Sequence, residues 1–558
     1  MKFDEILTHL GAFGPYQRRV YFLLCLISIP GAWHKLGQVF FAGNSNFWCA
    51  NTVENGTVIH QNRSAPAQND LASSIGTCMM MNNRTELNPS RSPNITNISE
   101  DDVVACDAGW EFDHSQYKST IIEDYSLVCD RKGLSHVAQS VFFAGNLAGS
   151  VLFGSMADCI GRTRTMLVAL IMWFGSAIGT IFARDVYTYM TLRFFVSCGA
   201  YGTFLPSYIL GTEFVGPSMR NIAGIANEFA FATGIMTLAG IAYFIRDWRN
   251  LQIAITVPVV LFFLYIPFLA ESARWLISRG KYDKAEKIIR RVAEVNKKQL
   301  PSELFTKDET DNTEQPANFL VLFKTPNMAC KTMNVMWNWC VNSLVYYGIA
   351  LNIPNLGSND YLAFFFSGLV EFPAYFYTMW ACQHFGGRKL NLAGTLILSG
   401  TTCVITSFLD PGLAVTCVAM LGKFSAAASF SIIYIFSAEI YPTPVRTAGT
   451  GLSSAASRVG GMVAPLIFLL EDTWKPLPFM IFGSCALLAG VLTLLLPETR
   501  NKNLPETLEE GEEFGKPNWM KHLCGSEQKE KIPQEPNLNI SDYNGGPEYT
   551  ALETEETV

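Results

Sequence analysis

Two stretches with the same layout, LGTEFVGPSMR at 210–220 and FSAEIYPTPVR at 436–446, decide the fold of this chain. In each stretch a glutamate precedes an arginine by seven residues, and the two copies lie 226 positions apart (439 − 213 and 446 − 220). Arg162 and Arg388, each shortly after an apolar run, are separated by the same 226 positions (388 − 162). Paired features at one offset indicate an internal repeat of two parallel halves.

Each half contains six apolar runs of about the length that crosses a lipid bilayer. An α-helix rises about 1.5 Å per residue, so about 20 apolar residues traverse the hydrocarbon core. The runs lie at about 20–42, 135–157, 166–183, 188–211, 222–245, 250–270, 332–351, 361–381, 390–409, 413–436, 447–470 and 477–496. The sequence therefore predicts an all-α membrane protein with twelve transmembrane helices in two parallel-repeat six-helix halves, 20–270 and 332–496.

Composition agrees with a membrane protein and argues against several other classes. Of the 558 residues, 49% are hydrophobic and only 16% are charged, which is too apolar for an ordinary soluble enzyme. The net charge of −7, without a basic run outside the loops, argues against nucleic-acid binding. The sequence has no recognisable nucleophile–His–acid set, metal-ligand cluster or phosphate loop, so we expect neither an enzyme nor a bound cofactor or metal.

The positive charges of the short loops predict the orientation in the membrane. Lysines and arginines of these loops, and of the stretch 274–298, fall on the same side as the N-terminus. Because positively charged loops stay in the cytoplasm, the segments 1–19, 271–331 and 497–558 are all expected there. We expect a multi-pass protein of the plasma membrane with both termini in the cytoplasm.

The segment 43–134, between the first two runs, is then a large extracellular loop. It contains five N-x-S/T sequons, which are acceptors for N-glycosylation in the secretory pathway, at Asn55, Asn62, Asn83, Asn94 and Asn97. Its four cysteines are candidates for disulfides, and they are Cys49, Cys78, Cys106 and Cys129. Four cysteines allow three pairings, and the sequence does not choose among them.

The charges of the repeated motifs also have a mechanical interpretation. They can bridge neighbouring helices at the cytoplasmic side in one conformation and separate in another, which would make them gates for alternating access. We expect three groups to pair: Asp158 with Arg162 and Arg164, Glu213 with Arg220, and Glu439 with Arg446. The alternative is that these residues only fix the topology through their charge.

Several longer motifs are similar to those of a known family. From about residue 3 to about residue 512 the chain resembles the organic cation/carnitine transporters (solute carrier family 22-like) of the major facilitator superfamily, and insect organic cation transporters in particular. The motifs are GSMADCIGRTR at 154–164, AYFIRDWR at 242–249, ESARWLISRG at 271–280, VEFPAY at 370–375, GKFSAAASFSIIYIFSAEIYPTPVR at 422–446 and PETRNKNLPET at 497–507. In the second half, Gly387 interrupts the glycine–arginine pattern that is usual in this family.

The resemblance implies uptake or exchange of organic ions, and particular residues bear on the charge of the substrate. Classical cation members have an aspartate at the position of Arg458, whereas anion and carnitine members have an arginine. Anion members have a lysine at the position of Tyr375, whereas cation and carnitine members share the acidic residue at Glu371. This combination predicts a transporter of organic cations that also accepts carnitine-like zwitterions. An organic anion transporter or exchanger is the alternative, because Arg458 and Lys423 could outweigh Glu371.

The predicted binding site is built from charges inside the apolar runs. Such charges cost at least about 2.5 kcal/mol in a bilayer unless they face a cavity. An arginine fork suits a carboxylate, a buried carboxylate attracts an ammonium group, and aromatic faces stabilise a cation. The predicted substrate-binding residues are Glu371, Arg458, Lys423, Tyr347, Tyr375, Trp337, Phe231 and Glu228. We also expect Lys423 to pair with Glu371 when the site is empty.

Energy coupling and further partners are less constrained by the sequence. Sodium coupling stays open, because Asn227 and Glu228 offer oxygen ligands in the fifth run. The tail 497–558 is acidic towards its end and rich in Pro, Gly and Asn, so it is predicted to be largely disordered. Residues 549–552 have the form of an endocytic adaptor signal and 556–558 that of a PDZ ligand, with a chance match as the alternative for both.

Overall fold

The structure is a computed structural model that describes residues 3–50, 53–54, 57–58, 78–81, 103–106, 109–301, 304, 319–356 and 359–515. These residues all belong to one compact unit, Met1–Gly515. The five predicted sequons and the two tail motifs lie outside the described residues.

Twelve long helices, α1 to α12, make up most of the described part of the chain. In chain order they are Pro15–Phe41, Gly133–Ile160, Arg162–Ile181, Val186–Phe214, Arg220–Phe244, Trp248–Phe268, Pro326–Asn352, Asp360–His384, Gly387–Thr406, Leu413–Ile440, Arg446–Ile467 and Leu477–Thr493. Helix α1 is interrupted near Ile27 and Gly37, and α8 has a break at Val370. Each predicted apolar run therefore coincides with a helix.

Eight of the described helices are long and apolar enough to cross a membrane, and α4, α7, α9 and α12 are the other four long ones. Helix α12 has only 17 residues. Helix α7 carries Asn338 and Asn342, both almost completely buried, which lowers its mean hydropathy. These amides are satisfied inside the bundle: Asn338, for example, accepts a hydrogen bond from Thr493 at 2.8 Å. That these four helices also span the membrane stays a prediction.

Small residues let the helices approach one another closely. A Cβ atom on Gly145 of α2 would lie 2.2 Å from the carbonyl oxygen of Phe194 in α4. In the second half, a Cβ atom on Gly460 of α11 would lie 2.0 Å from the carbonyl oxygen of Cys340 in α7. Such backbone contacts replace the hydrophobic driving force that a bilayer does not supply between helices.

Short helices cover one end of the bundle, which we call the termini face. Tyr282–Val295 packs its apolar side against Phe3–His9, and Asn296 accepts a hydrogen bond from the Tyr16 amide at the start of α1, at 3.0 Å. Leu508–Glu513 covers the start of α7 in a similar way. Its Glu512 carboxylate accepts hydrogen bonds from the first amides of that helix. The segments after α6 and after α12 therefore each cap the first helix of their own half.

The segment between α1 and α2 lies at the opposite end, which we call the loop face. Its described residues include three two-stranded antiparallel sheets, which pair Phe47–Cys49 with Trp110–Phe112, Val53–Glu54 with Thr57–Val58, and Met79–Met81 with Val103–Ala105. The disulfides that the sequence left open join Cys49 to Cys106 and Cys78 to Cys129.

The two halves are held together at the loop face. The Tyr117 hydroxyl donates to the Asp360 carboxylate at 2.7 Å, and Phe40 of α1 packs against Phe364 of α8 with ring centres 5.1 Å apart. Between α2 and α11, Gly461 lies against Phe143. These contacts close the bundle at the loop face.

Candidate functional site

A completely buried ion pair joins α8 to α10. Lys423 Nζ lies 2.9 Å from Glu371 Oε1, and neither side chain is exposed. The hydroxyl groups of Tyr346 and Tyr375 donate to the two carboxylate oxygens at 2.5 and 2.8 Å. The ammonium group also lies 3.2 Å from the centre of the Tyr346 ring. The charge of Glu371 is therefore compensated inside the protein, by one cation and two hydrogen-bond donors.

Arg458 projects from α11 towards α4 of the other half. Its guanidinium carbon lies 4.5 Å from the centre of the Tyr201 ring, and the guanidinium donates to the Tyr201 hydroxyl. It also donates to the carbonyl and hydroxyl oxygens of Ser454, at 2.5 and 3.0 Å. Gly461, one helical turn further along α11, packs against the ring of Tyr347 in α7. Among the described residues, the contacts that Arg458 makes across the halves are thus with a tyrosine and not with a carboxylate.

A second cation, Lys35 of α1, lies beside the Tyr347 ring. Its ammonium nitrogen is 4.8 Å from the centre of the Tyr347 ring and 5.7 Å from that of Phe231. The Gln139 side chain of α2 donates to the Lys35 carbonyl at 3.0 Å, which fixes this part of α1. Lys35 was not among the predicted site residues, although a lysine inside the apolar run 20–42 was the available signal.

Glu228 of α5 is the carboxylate that faces the second half. It accepts a hydrogen bond from Ser431 of α10. The Tyr208 hydroxyl of α4 lies against Gly224, one helical turn before Glu228, and Tyr434 lies one turn after Ser431 in α10. Both halves therefore contribute to the surroundings of this carboxylate.

The aromatic residues predicted for the site differ in where they lie. Tyr347, Tyr375 and Phe231 are all in contact with the charges described above. Trp337 keeps 36% of its surface exposed, and no described contact brings it to those charges. Trp339, two residues later, is buried and packs against Tyr434 with ring centres 4.4 Å apart. The rotation of α7 thus favours Trp339 over Trp337 as a neighbour of the site.

The predicted gating charges lie at the termini face, where the expected pair of Asp158 with Arg162 forms and the repeated glutamates bond to arginines that begin α3 and α9. Arg162 forms ion pairs with Asp158 at 3.2 Å and with Glu213 at 3.3 Å, and Arg388 pairs with Glu439 at 3.1 Å. The remaining three arginines are placed as follows: Arg164 is exposed, Arg220 begins α5, and Arg446 donates to the Tyr441 carbonyl and the Thr443 hydroxyl. Each glutamate of the repeat is therefore paired with the arginine that begins α3 or α9.

A second pair of glutamates caps the same two helices. Glu271 accepts a hydrogen bond from the Arg162 amide at 2.9 Å, and Glu498 from the Arg388 amide at 3.0 Å. A carboxylate at a helix N-terminus satisfies free amides and is stabilised by the helix dipole. The internal repeat predicted from the sequence is therefore visible as the same hydrogen bonds in both halves.

The glycines before these arginines have backbone conformations that other residues avoid. Gly161 has φ +105° and Gly387 has φ +73°, and a Cβ atom at either position would collide with the capping carboxylate. Gly387 therefore occupies the place in the second half that Gly161 occupies in the first. It does not interrupt the motif, and Gly386 stands at the position of Ile160 in the first half (386 − 160 = 226).

Replacing Gly161 with alanine is expected to lower the free energy of unfolding by roughly 1–3 kcal/mol, because φ +105° is strained for any side chain. The added Cβ would also lie 2.4 Å from a carboxylate oxygen of Glu271. The thermal unfolding midpoint of the detergent-solubilised protein measures this loss. Gly175→Ala inside α3, the helix that Gly161 precedes, is the matched control, because a Cβ there meets nothing within 4 Å. Equal stability of the two variants would contradict the assignment.

Comparison with known proteins identifies the family. The sequence profile of the sugar (and other) transporter family matches residues 97–510. The fold is that of the Escherichia coli xylose transporter XylE in a partially occluded inward-open conformation, with a TM-score of 0.58 at 16% identity. This similarity covers 88% of the present chain and 100% of the xylose transporter chain. The chain belongs to this transporter family.

Within the sugar (and other) transporter family, the chain lies with the organic cation/carnitine transporters. It is 40% identical to the organic cation transporter protein of Drosophila melanogaster, over 92% of this chain and 95% of the relative. It is 33% identical to human organic cation/carnitine transporter 2, over 91% of this chain and 93% of the relative. The predicted major facilitator fold and the resemblance to this family are confirmed.

Proposed function

We propose that this protein carries organic cations and carnitine-like zwitterions across the plasma membrane. It works by alternating access, as major facilitator transporters do. The observation that carries the choice of substrate is the group of opposite charges between the two halves, Glu228 on α5 and Arg458 on α11, with tyrosines beside both. Glu228 attracts an ammonium group, Arg458 offers two donors to a carboxylate, and the rings stabilise a cation by about 0.5–2 kcal/mol each. The two relatives described above are named for organic cations and for carnitine.

The proposed orientation places the termini face in the cytoplasm and the loop face outside the cell. Arg162 and Arg388 at the termini face support it, because positive charges are retained in the cytoplasm. The two disulfides of the segment at the loop face also support it, because disulfides persist in oxidising compartments. The contacts between the halves at the loop face then correspond to an inward-facing conformation.

The gating role is proposed for the charged groups at the termini face. Arg162 links Asp158 at the end of α2 to Glu213 at the end of α4, and Arg388 with Glu439 links α9 to α10. These bonds hold helices of the same half together in the present conformation. When the halves close at the termini face, the same charges come to lie at their junction, where re-pairing across the halves would stabilise the outward-facing state.

The direct test is uptake into cells that express the protein. Labelled tetraethylammonium and carnitine are expected to accumulate above mock-transfected cells, and para-aminohippurate is not. Replacing external Na⁺ with another monovalent cation tests coupling, since a carnitine flux that falls without Na⁺ requires a sodium site. With the protein demonstrated at the surface, no flux of either labelled substrate would contradict the proposal.

An organic anion carrier, the alternative from the sequence, is not favoured. Its support was that Lys423 and Arg458 could outweigh Glu371, but the charges of Lys423 and Glu371 compensate each other at 2.9 Å, and the relatives described above are named for organic cations and carnitine. Accumulation of para-aminohippurate alone would reinstate this alternative.

A further inference from the structure

Two cations, Lys35 and Arg458, lie near Tyr347 and come from different halves of the protein. The Lys35 ammonium group lies 4.8 Å from the centre of the Tyr347 ring. Gly461, one helical turn after Arg458 in α11, packs against the same ring. Both cationic side chains are only partly exposed, and two like charges in such a site repel each other more strongly than they would in water.

The surrounding carboxylates do not neutralise this pair. Glu371 is held by Lys423, and Glu228 is hydrogen-bonded to Ser431. Within the described ranges, neither Lys35 nor Arg458 forms an ion pair with an acidic side chain. Arg458 donates its hydrogen bonds to Ser454 and Tyr201, which carry no charge. The site therefore has an excess of positive charge on the side of Tyr347, which an anionic ligand group would relieve.

We propose that Lys35 and Arg458 together form a subsite for a substrate carboxylate. This inference rests on the proposed function and narrows its substrate class to zwitterions, with simple cations as poorer substrates. The carboxylate lies between α1 and α11, and the ammonium group is directed towards Glu228 on α5. Because α1 belongs to one half and α11 to the other, a bound carboxylate links the halves, whereas a simple cation does not.

A substrate without an ammonium group should use this subsite poorly. Its carboxylate would find the same two cations, but its remaining part would face Glu228 without an attractive contact. The subsite therefore predicts that the protein distinguishes ligands by both their ammonium group and their carboxylate. Of these two charges, the carboxylate can be removed chemically with little change in the shape of the substrate. Carnitine and its methyl ester differ in this way.

The test compares Lys35→Gln with wild type in uptake of carnitine and of tetraethylammonium, normalised to protein at the cell surface. The loss of a charged partner is expected to raise the KM for carnitine at least about tenfold. The KM for tetraethylammonium should be unchanged or lower, because a repelling charge is removed. Lys35→Arg should retain carnitine uptake. Lys118→Gln, the same substitution at an exposed lysine of the loop face, should change neither KM.

A second measurement needs only the wild-type protein. Carnitine methyl ester should compete with labelled carnitine at least about tenfold more weakly than carnitine itself. In Lys35→Gln this difference should shrink, because ester and substitution remove the same interaction. An ester that competes as well as carnitine, or a Lys35→Gln effect that is equal for both substrates, would overturn the inference and leave the proposed function standing. Wild type that accumulates neither substrate would overturn the proposed function itself.

Discussion

Replacing Glu371 with Gln, or Lys423 with Met, is expected to remove most of the folded protein, and replacing both together is expected to restore it. Both side chains are completely buried, and their charged atoms are 2.9 Å apart. Removing one partner leaves a buried charge without compensation, which costs roughly 3–5 kcal/mol, a large share of the stability of any protein. Removing both charges abolishes the attraction and the desolvation cost together. Thermal unfolding of the detergent-solubilised protein and its abundance at the cell surface measure the effect.

The double variant also separates a structural role of Glu371 from a role in substrate binding. If the pair only holds α8 to α10, the double variant will transport tetraethylammonium at nearly the wild-type rate. If Glu371 exchanges Lys423 for the ammonium group of a substrate, the double variant will be folded and inactive. Single variants that are as stable as wild type would contradict the description of this pair as a closed, buried ion pair. Lys118→Met is the control for the loss of an exposed lysine charge.

The helices and the repeat could be predicted from the sequence because both depend on local or periodic properties. A run of apolar residues predicts a helix wherever it packs, and the offset between Glu213 and Glu439 needs no coordinates. The partner of each glutamate could not be predicted in the same way. The sequence favoured the arginines seven residues later, whereas the described ion pairs are with Arg162 and Arg388, which begin other helices.

The sequence allowed most residues of the candidate site to be named, but it did not show which of them lie in contact. Glu371, Lys423 and Arg458 are visible as charges in apolar runs, but which charges meet depends on the rotation and tilt of four or five helices. Lys35 carries the same signal and is not among the predicted site residues. The rotation of α7 about its axis decides whether Trp337 or Trp339 contacts Tyr434. Because α7 is mostly buried, its sequence has no clear periodic pattern of apolar and polar residues from which this rotation could be predicted.

Replacing Arg458 with aspartate is expected to reverse the substrate preference from carnitine towards tetraethylammonium. The substitution removes a guanidinium that contacts Tyr201 and puts a carboxylate one helical turn from Gly461, which packs against the Tyr347 ring that Lys35 also contacts. The lost charge-assisted hydrogen bonds are worth about 1.5–3 kcal/mol, so uptake of carnitine at low concentration should fall by about tenfold to a hundredfold. Uptake of tetraethylammonium should rise, because a repelling cation is replaced by an attracting anion. The ratio of kcat/KM for the two substrates, from initial rates in the same cells, measures the reversal.

The ratio is the informative quantity, because it separates recognition from folding. Arg458 also bonds to Tyr201 across the two halves, so a purely structural loss would lower both fluxes by the same factor and leave the ratio unchanged. Arg458→Lys is the matched control: it keeps the charge but loses the planar fork, so its carnitine uptake should lie between those of wild type and the aspartate variant. An unchanged ratio in Arg458→Asp would show that the carboxylate of the substrate is held elsewhere. It would also leave Lys35 and Arg458 as two cations that contact tyrosines and have no role in recognition of the substrate.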